Sequence, residues 1–153
     1  MSRLLVVHHT PSPATRELLE AVLAGTRDPE IAGVDVVVRP ALCATVTDML
    51  GAEGYLFGTT ANFGYMSGAL KHFFDTTFYA LEPHTVGLPY ALLVSAGQDG
   101  TGTLASVERI VTGYRWKRVA PPLLVVGEPA AEHLAAAREL GAALAAGIAV
   151  GIF

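Results

Sequence analysis

The segment GYLFGTTANFGYMSGALKHFFD, residues 54–75, changes its hydrophobic pattern twice, and these changes decide the fold. It opens with the apolar run Tyr55-Leu56-Phe57, which is typical of a buried strand and ends at Gly58. A polar, glycine-rich stretch follows, and from Gly68 onward apolar residues recur at helical spacing. The pattern predicts a strand, a loop and a helix, with the loop at the carboxyl end of its strand. Ligands of open α/β sheets bind at this edge.

The same alternation of apolar runs and amphipathic stretches extends over the whole chain. Four further apolar runs predict strands at Arg3–His8, Val34–Val38, Pro89–Ser95 and Pro122–Val126. Helical patterns lie between these runs, and an apolar helix closes the chain after Pro129. Strands that alternate with helices indicate a parallel sheet that is covered on both faces. We therefore expect residues 1–153 to form a single α/β domain.

A more specific signal lies in residues 58–75, GTTANFGYMSGALKHFFD. This segment resembles the flavin-contacting segment of the flavodoxin-like FMN proteins, a family that includes NAD(P)H-dependent FMN reductases and WrbA-type quinone reductases. Relatives commonly read G-x-P-x-x-x-G-x-x-S-G-x-L-K-x-F-x-D. The chain keeps Gly58, Gly64, Ser67, Gly68, Leu70, Lys71, Phe73 and Asp75 of that pattern. It departs from the pattern at Thr60, where relatives usually have proline.

The resemblance implies a fold, a cofactor and a cosubstrate. The fold is a flavodoxin-like doubly wound five-stranded parallel sheet in the order 2-1-3-4-5, with helices on both faces. This order puts the switch point between the first and third strands. The turns after those strands, residues 9–14 and 59–68, should therefore face one another, and residues 96–102 should flank them. The resemblance implies that this cleft binds FMN, with NAD(P)H as a possible cosubstrate.

The turn after the first strand presents Thr10, Ser12 and Thr15 just before a helix begins. Hydroxyl groups and free amides at a helix N-terminus can bind an anion without a lysine. The turn resembles the phosphate loop of the family, although Pro11 and Pro13 each remove an amide donor. The alternative is that Ser12 or Thr15 only caps the helix.

The residues expected to contact FMN come from all three turns. They are His9, Thr10, Ser12, Ala14 and Thr15 in the first turn, Thr59, Thr60, Ala61, Asn62, Phe63 and Gly64 in the second, and Ala96, Gly97, Gln98 and Gly100 in the third. Phe63 offers an aromatic ring that could stack on the flavin. The alternative for the third turn is a glycine-rich turn without a ligand. We expect no catalytic side chain and no metal ligand, because the flavin itself carries the chemistry.

Composition and charge limit the cellular compartments and the kinds of partner molecule that are expected. The net charge is −4 and no basic cluster occurs, which argues against a nucleic-acid partner. Arg138 and Glu139 interrupt the apolar C-terminal run, so a packed closing helix is favoured over a membrane span. The single cysteine, Cys43, excludes an intramolecular disulfide. No signal-peptide pattern opens the chain, and we expect a cytoplasmic location.

Several functions remain open. The first is an NAD(P)H-dependent oxidoreductase that passes electrons to a quinone, a flavin or a similar small acceptor. Dedicated carriers tend to be strongly acidic, and the modest net charge here favours the enzyme. The alternatives are a flavodoxin-type electron carrier that serves a redox protein, and a flavin-free relative, which Pro11, Pro13 and Thr60 suggest. A phosphoacceptor receiver domain is excluded, because His8-His9 occupy the positions of its acidic pair. The apolar final helix is compatible with a homo-oligomer.

Overall fold

The computed structural model describes residues 1–153, and all of its strands lie in one sheet. The strands are β1 (Ser2–His8), β2 (Val34–Pro40), β3 (Gly54–Asn62), β4 (Tyr65–Met66), β5 (Pro89–Ala96), β6 (Lys117–Arg118) and β7 (Leu123–Val126). The helices are α1 (Pro13–Thr26), α2 (Val46–Leu50), α3 (Gly68–Leu81), α4 (Thr101–Tyr114) and α5 (Ala131–Val150). Strands and helices alternate as the sequence predicts, except that β4 and β6 are additional short strands.

The long strands run parallel in the order β2-β1-β3-β5, and two short strands share the outer edge of β5. β6 pairs with Pro89 and Tyr90 at the start of β5, whereas β7 pairs with residues 93–96 at its end. The fifth position of the sheet is therefore filled by two segments. With that position counted once, the predicted order 2-1-3-4-5 is confirmed.

The sheet separates two hydrophobic cores, because the side chains of a strand alternate between its faces. On one face, the ring of Phe57 stacks on that of Trp116, with centroids 5.3 Å apart, beneath α3 and α4. On the other face, Leu4 and Val6 of β1 pack against α1 and α5. Burial on both faces explains why β1, β3 and β5 read as continuous apolar runs.

Helices α1 and α5 approach each other closely because glycines lie at their contact. A Cβ atom at Gly141 would overlap the carbonyl oxygen of Val22, and one at Gly25 would overlap that of Arg138. By length and composition alone, α5 could cross a membrane. In this fold it packs on α1 and on the sheet instead, and buries Leu144 within the second core.

The boundary that differs most from the prediction is the end of β3, which extends beyond Phe57 to Asn62. Thr59 and Thr60 continue the pairing with β5. The chain then reverses and returns as β4, which pairs antiparallel with β3. Much of the predicted loop 59–68 is therefore a β-hairpin. The β-branched threonines favour extended backbone and outweigh Gly58, which had indicated the end of the strand.

We predict that Gly141→Ala lowers the free energy of unfolding by about 1–3 kcal/mol, because the added methyl group would push α5 away from α1. Gly113→Ala on α4 is the matched control, since a Cβ atom there comes no closer than 3.4 Å to Phe78. That control should raise the free energy of unfolding by about 0.5–1 kcal/mol. Urea denaturation measures both changes. A Gly141→Ala variant as stable as the parent would contradict the close helix contact.

Candidate functional site

The three predicted turns meet at the carboxyl edge of β1, β3 and β5. The amide of His9 donates to the carbonyl of Gly58 over 2.9 Å, which ties the first turn to β3. The amide of Gly127 donates to the carbonyl of Ala96 over 2.8 Å, which ties the third turn to the turn after β7. The strand order brings these turns together, because parallel strands all end at the same edge of a sheet.

Two adjoining cavities lie between these turns and share Ala61 and Gly97. The first, which we call the α1-side cavity, has a volume of about 410 Å³. It is lined by Ser12, Ala14, Thr15, Thr60, Ala61, Asn62, Ser95, Ala96, Gly97, Gly127 and Glu128. The second, the hairpin-side cavity, has a volume of about 520 Å³. It is lined by Ala61, Phe63, Gly64, Gly97, Gln98, Asp99, Thr101 and Gly102.

The predicted residues that do not line these cavities fall into two groups. His9, Thr10 and Thr59 line a recess of about 10 Å³ beside the α1-side cavity. Gly100 lines none of the three spaces. It is the N-cap of α4, and a Cβ atom there would overlap the side chain of Leu124. Gly100 therefore lies against β7 rather than beside either cavity.

Several residues that line the two cavities were not predicted from the sequence. Gly127 and Glu128 come directly after β7 and line the α1-side cavity. Their position could have been found, because the rule that places ligands at carboxyl ends applies to the last strand as well. Ser95 is the penultimate residue of β5, and Asp99 and Thr101 belong to the third turn and the start of α4.

In the first turn, the hydroxyl groups of Ser12 and Thr15 cap α1, and the free donors include backbone amides. The Ser12 amide donates to Oγ1 of Thr15 over 3.0 Å, and the Thr15 amide donates to Oγ of Ser12 over 3.3 Å. This reciprocal pair is a capping box, so the capping alternative is correct for these side chains. The amides of Thr10 and Ala14 have no acceptor within the protein. With the α1 dipole behind them, they can bind an anion.

Two successive threonines of β3 have different surroundings. Oγ1 of Thr59 accepts the Ser67 amide at 3.0 Å and donates to the Thr60 carbonyl at 2.9 Å, so it fastens the hairpin to the start of α3. Oγ1 of Thr60 is buried and has no hydrogen-bond partner, although this residue lines the α1-side cavity. A buried hydroxyl without a partner costs about 1–3 kcal/mol. A polar ligand in the cavity would supply the missing partner.

The hairpin tip holds an exposed aromatic side chain on a strained backbone. Phe63 and Gly64 have φ angles of 53° and 71°, which are the signs required by a type I′ turn. Glycine adopts this conformation freely, but a residue with a Cβ atom loses about 1–2 kcal/mol. The Phe63 side chain is fully exposed beside the hairpin-side cavity. Backbone strain of this kind persists mainly at functional positions.

The charged groups at the two cavities are carboxylates. Asp99 accepts the Thr101 amide at 3.0 Å and the Thr101 hydroxyl at 2.9 Å, and these hydrogen bonds hold the pKa of its carboxyl group below the usual range. Glu128 lines the other cavity, and neither cavity is lined by lysine or arginine. An anion bound here would therefore be stabilised by amides and the helix dipole rather than by a cationic side chain.

A separate cavity of about 370 Å³ lies between α3 and α4, away from the three turns. Its walls include Phe78 and Tyr79. Nζ of Lys71 and Oδ1 of Asp75, at its edge, already form an ion pair at 2.7 Å. No buried polar atom along this cavity lacks a partner. A buried hydroxyl without a partner, that of Thr60, lies at the sheet edge instead.

Comparisons with known proteins agree with this fold. No protein-family model matches the chain. A flavodoxin of Aquifex aeolicus (strain VF5) is 30% identical, with 98% of this chain and 89% of that protein covered. An NAD(P)H dehydrogenase (quinone) of Acidithiobacillus ferrooxidans is 27% identical, with 84% and 72% covered.

Solved structures give the same result for the fold. A flavodoxin from the domain Archaea superposes with a TM-score of 0.82 at 23% identity, covering 95% of this chain and 98% of that one. A WrbA-like flavodoxin from Agrobacterium tumefaciens superposes with a TM-score of 0.78 at 18% identity, covering 99% of both chains. The fold and the full-length similarity together define a flavodoxin-like α/β protein. The chain belongs to the flavodoxin-like FMN-binding family, as its sequence resemblance predicts.

We predict opposite effects of Phe63→Asn on stability and on flavin affinity. Asparagine tolerates the left-handed region, so the flavin-free protein should gain about 1 kcal/mol in its free energy of unfolding. If the Phe63 ring contacts a bound flavin, the same change weakens flavin affinity by at least several-fold. Urea denaturation and flavin titration measure the two effects. Loss of stability would contradict the strain at the tip, and unchanged affinity would contradict a contact with the ligand.

Proposed function

We propose that the α1-side and hairpin-side cavities together bind FMN, and that the protein uses it as an NAD(P)H-dependent oxidoreductase. The electron acceptor would be a quinone, a flavin or a similar small molecule. The observation that carries the proposal is the convergence of three polar turns on one sheet edge, with the partnerless Thr60 hydroxyl among them. The same proposal places the protein in the cytoplasm, where NAD(P)H is available.

The first turn suits the phosphate end of FMN. The amides of Thr10 and Ala14 are free, and both residues precede or open α1. Pro11 and Pro13 remove donors, but the capping box fixes the remaining amides in place. The Ser12 and Thr15 hydroxyls are already paired with the backbone, so they would support the phosphate indirectly. This donor set matches a phosphate ester, for which a helix N-terminus is a sufficient site.

The second and third turns suit the flat ring of FMN. Gly97 lines both cavities, and a Cβ atom there would meet nothing within 4 Å, so the space beside it is open. Thr60, Asn62 and Gln98 offer hydroxyl and amide groups for the polar edge of a flavin. Phe63 offers an aromatic face. These residues would bind and orient the ring, while bound FMN would supply the redox chemistry.

An electron carrier that serves a redox protein is the second candidate. The full-length similarity to a flavodoxin and the carboxylates Asp99 and Glu128 favour it. The net charge of −4 gives only a weak field for steering a protein partner. The similarity to an NAD(P)H dehydrogenase (quinone) over 84% of the chain favours the enzyme.

We expect FMN to bind with micromolar affinity or tighter, about −8 kcal/mol, and its fluorescence to be quenched on titration. Gly97→Val should weaken FMN by at least tenfold, because the side chain would fill space shared by both cavities. Gly113→Val is the control, since Gly113 lies on α4 outside both cavities and a Cβ atom there comes no closer than 3.4 Å to Phe78. Control and parent should bind FMN alike. FMN fluorescence that stays unchanged with the parent protein would refute the proposal and favour a flavin-free relative.

Enzyme and carrier differ in steady-state turnover. We expect the FMN-loaded protein to oxidise NADH or NADPH continuously when a soluble quinone is supplied, and to stop when the quinone is exhausted. A carrier would bind FMN equally well, but would show no turnover with NAD(P)H unless a separate reductase were added. This second outcome would contradict the proposed enzymatic activity. It would not contradict the proposed FMN site.

A further inference from the structure

His8 ends β1 immediately before the turn that we propose holds the FMN phosphate. Its side chain is half-buried, and its Nδ1 lies 3.0 Å from Oγ1 of Thr10. The amide of Thr10 has no acceptor in the protein. A single hydrogen bond therefore connects a titratable ring to a residue of the phosphate turn.

We infer that His8 is a positioning residue that makes the affinity of this site for a flavin phosphate depend on pH. It acts through the orientation of the Thr10 hydroxyl. The inference rests on the proposed function, because the phosphate concerned is that of bound FMN. It goes further, because it assigns to this chain a proton-linked control of cofactor affinity.

The chemistry follows from the donors and acceptors of the two side chains. When neutral His8 carries its proton on Nε2, Nδ1 accepts the hydroxyl proton of Thr10, and this proton is directed away from a ligand. When the ring is protonated, Nδ1 donates to the Thr10 oxygen, and the hydroxyl proton becomes free for a phosphate oxygen. Protonation also places a positive charge beside Thr10 of the phosphate turn, and neither cavity is lined by lysine or arginine. Protonation of His8 and phosphate binding therefore favour each other.

The surroundings of His8 disfavour its charged form. Burial, and secondarily the charge of His9, hold the pKa of His8 below its ordinary value. The flanking strands place Pro40 and Gly58 beside it, and neither residue titrates. The first turn of α1 contains no carboxylate, and Arg16 is exposed. No carboxylate raises the pKa of His8 in the protein alone, and a phosphate dianion would be the group that does so.

By linkage, a ligand that raises the pKa of His8 binds more tightly as the pH falls through that range. We expect FMN affinity to increase as the pH falls from about 8 to about 6.5, by less than the tenfold that one pKa unit of coupling gives in full, because the pKa of His8 in the free protein lies below its ordinary value of about 6.5. Riboflavin has no phosphate, so its affinity should stay constant. The range lies above the second pKa of a phosphate ester, about 6, so the ligand remains mostly dianionic.

The direct test is an NMR titration of the imidazole groups in the protein alone, with FMN and with riboflavin. FMN should raise the pKa of His8, and riboflavin should leave it unchanged. The exposed His72 on α3 is the internal control, and neither flavin should shift its titration. Because the native protein is used, the test does not depend on whether a variant folds.

His8→Asn separates the charge from the hydrogen bond. Asparagine keeps a polar group near the Nδ1 position but does not titrate, so the variant should bind FMN with an affinity that is constant over the same pH range. His72→Asn should keep the pH dependence of the parent. Fluorescence quenching by each protein measures both affinities.

Three results would overturn the inference about His8 without contradicting the proposed FMN site. They are a His8 pKa that FMN does not change, an equal rise with riboflavin, and a His8→Asn variant that keeps the pH dependence of the parent. Absence of binding of either flavin at every pH would instead overturn the proposed function, and this inference with it.

Discussion

The structure depends on one constraint, which is that β1, β3 and β5 are buried on both faces of the sheet. Apolar strands of this kind need helices on each side, and right-handed crossovers carry the chain to one face after β1 and to the other after β3. The two turns consequently diverge and leave a crevice at the carboxyl edge. Close packing of α1 on α5 through Gly25 and Gly141 fixes the position at which the first turn meets this crevice.

The second side of the crevice is held by contacts that are distant in sequence. The Met66 amide donates to Oγ of Ser106 over 3.2 Å, and a Cβ atom at Gly102 would overlap the Gly64 carbonyl. The hairpin therefore rests on α4 as well as on β3. This support explains how Phe63 can be held in a left-handed conformation at the tip. The backbone at the tip is therefore held in place before a ligand binds, so less backbone entropy is lost on binding.

The sequence predicted the features that depend on local pattern. Apolar periodicity located β1 and β5, and the strand order followed from the family resemblance carried by residues 58–75. The hairpin was missed because its turn is Phe-Gly rather than the usual Asn-Gly, and β6 was missed because two basic residues carry no apolar signal. Gly100 was assigned to ligand access, but it lines neither cavity and lies against Leu124, which is distant in sequence. Such contacts cannot be read from a local window.

The central claim is that three turns at one sheet edge form a single FMN site. The most direct measurement is the change in backbone amide NMR shifts when FMN is added to the uniformly ¹⁵N-labelled protein. The account predicts that the largest changes occur in residues 9–15, 60–64 and 96–99, with little change between α3 and α4. Changes centred on the α3–α4 cavity, or changes in only one of the three turns, would contradict it.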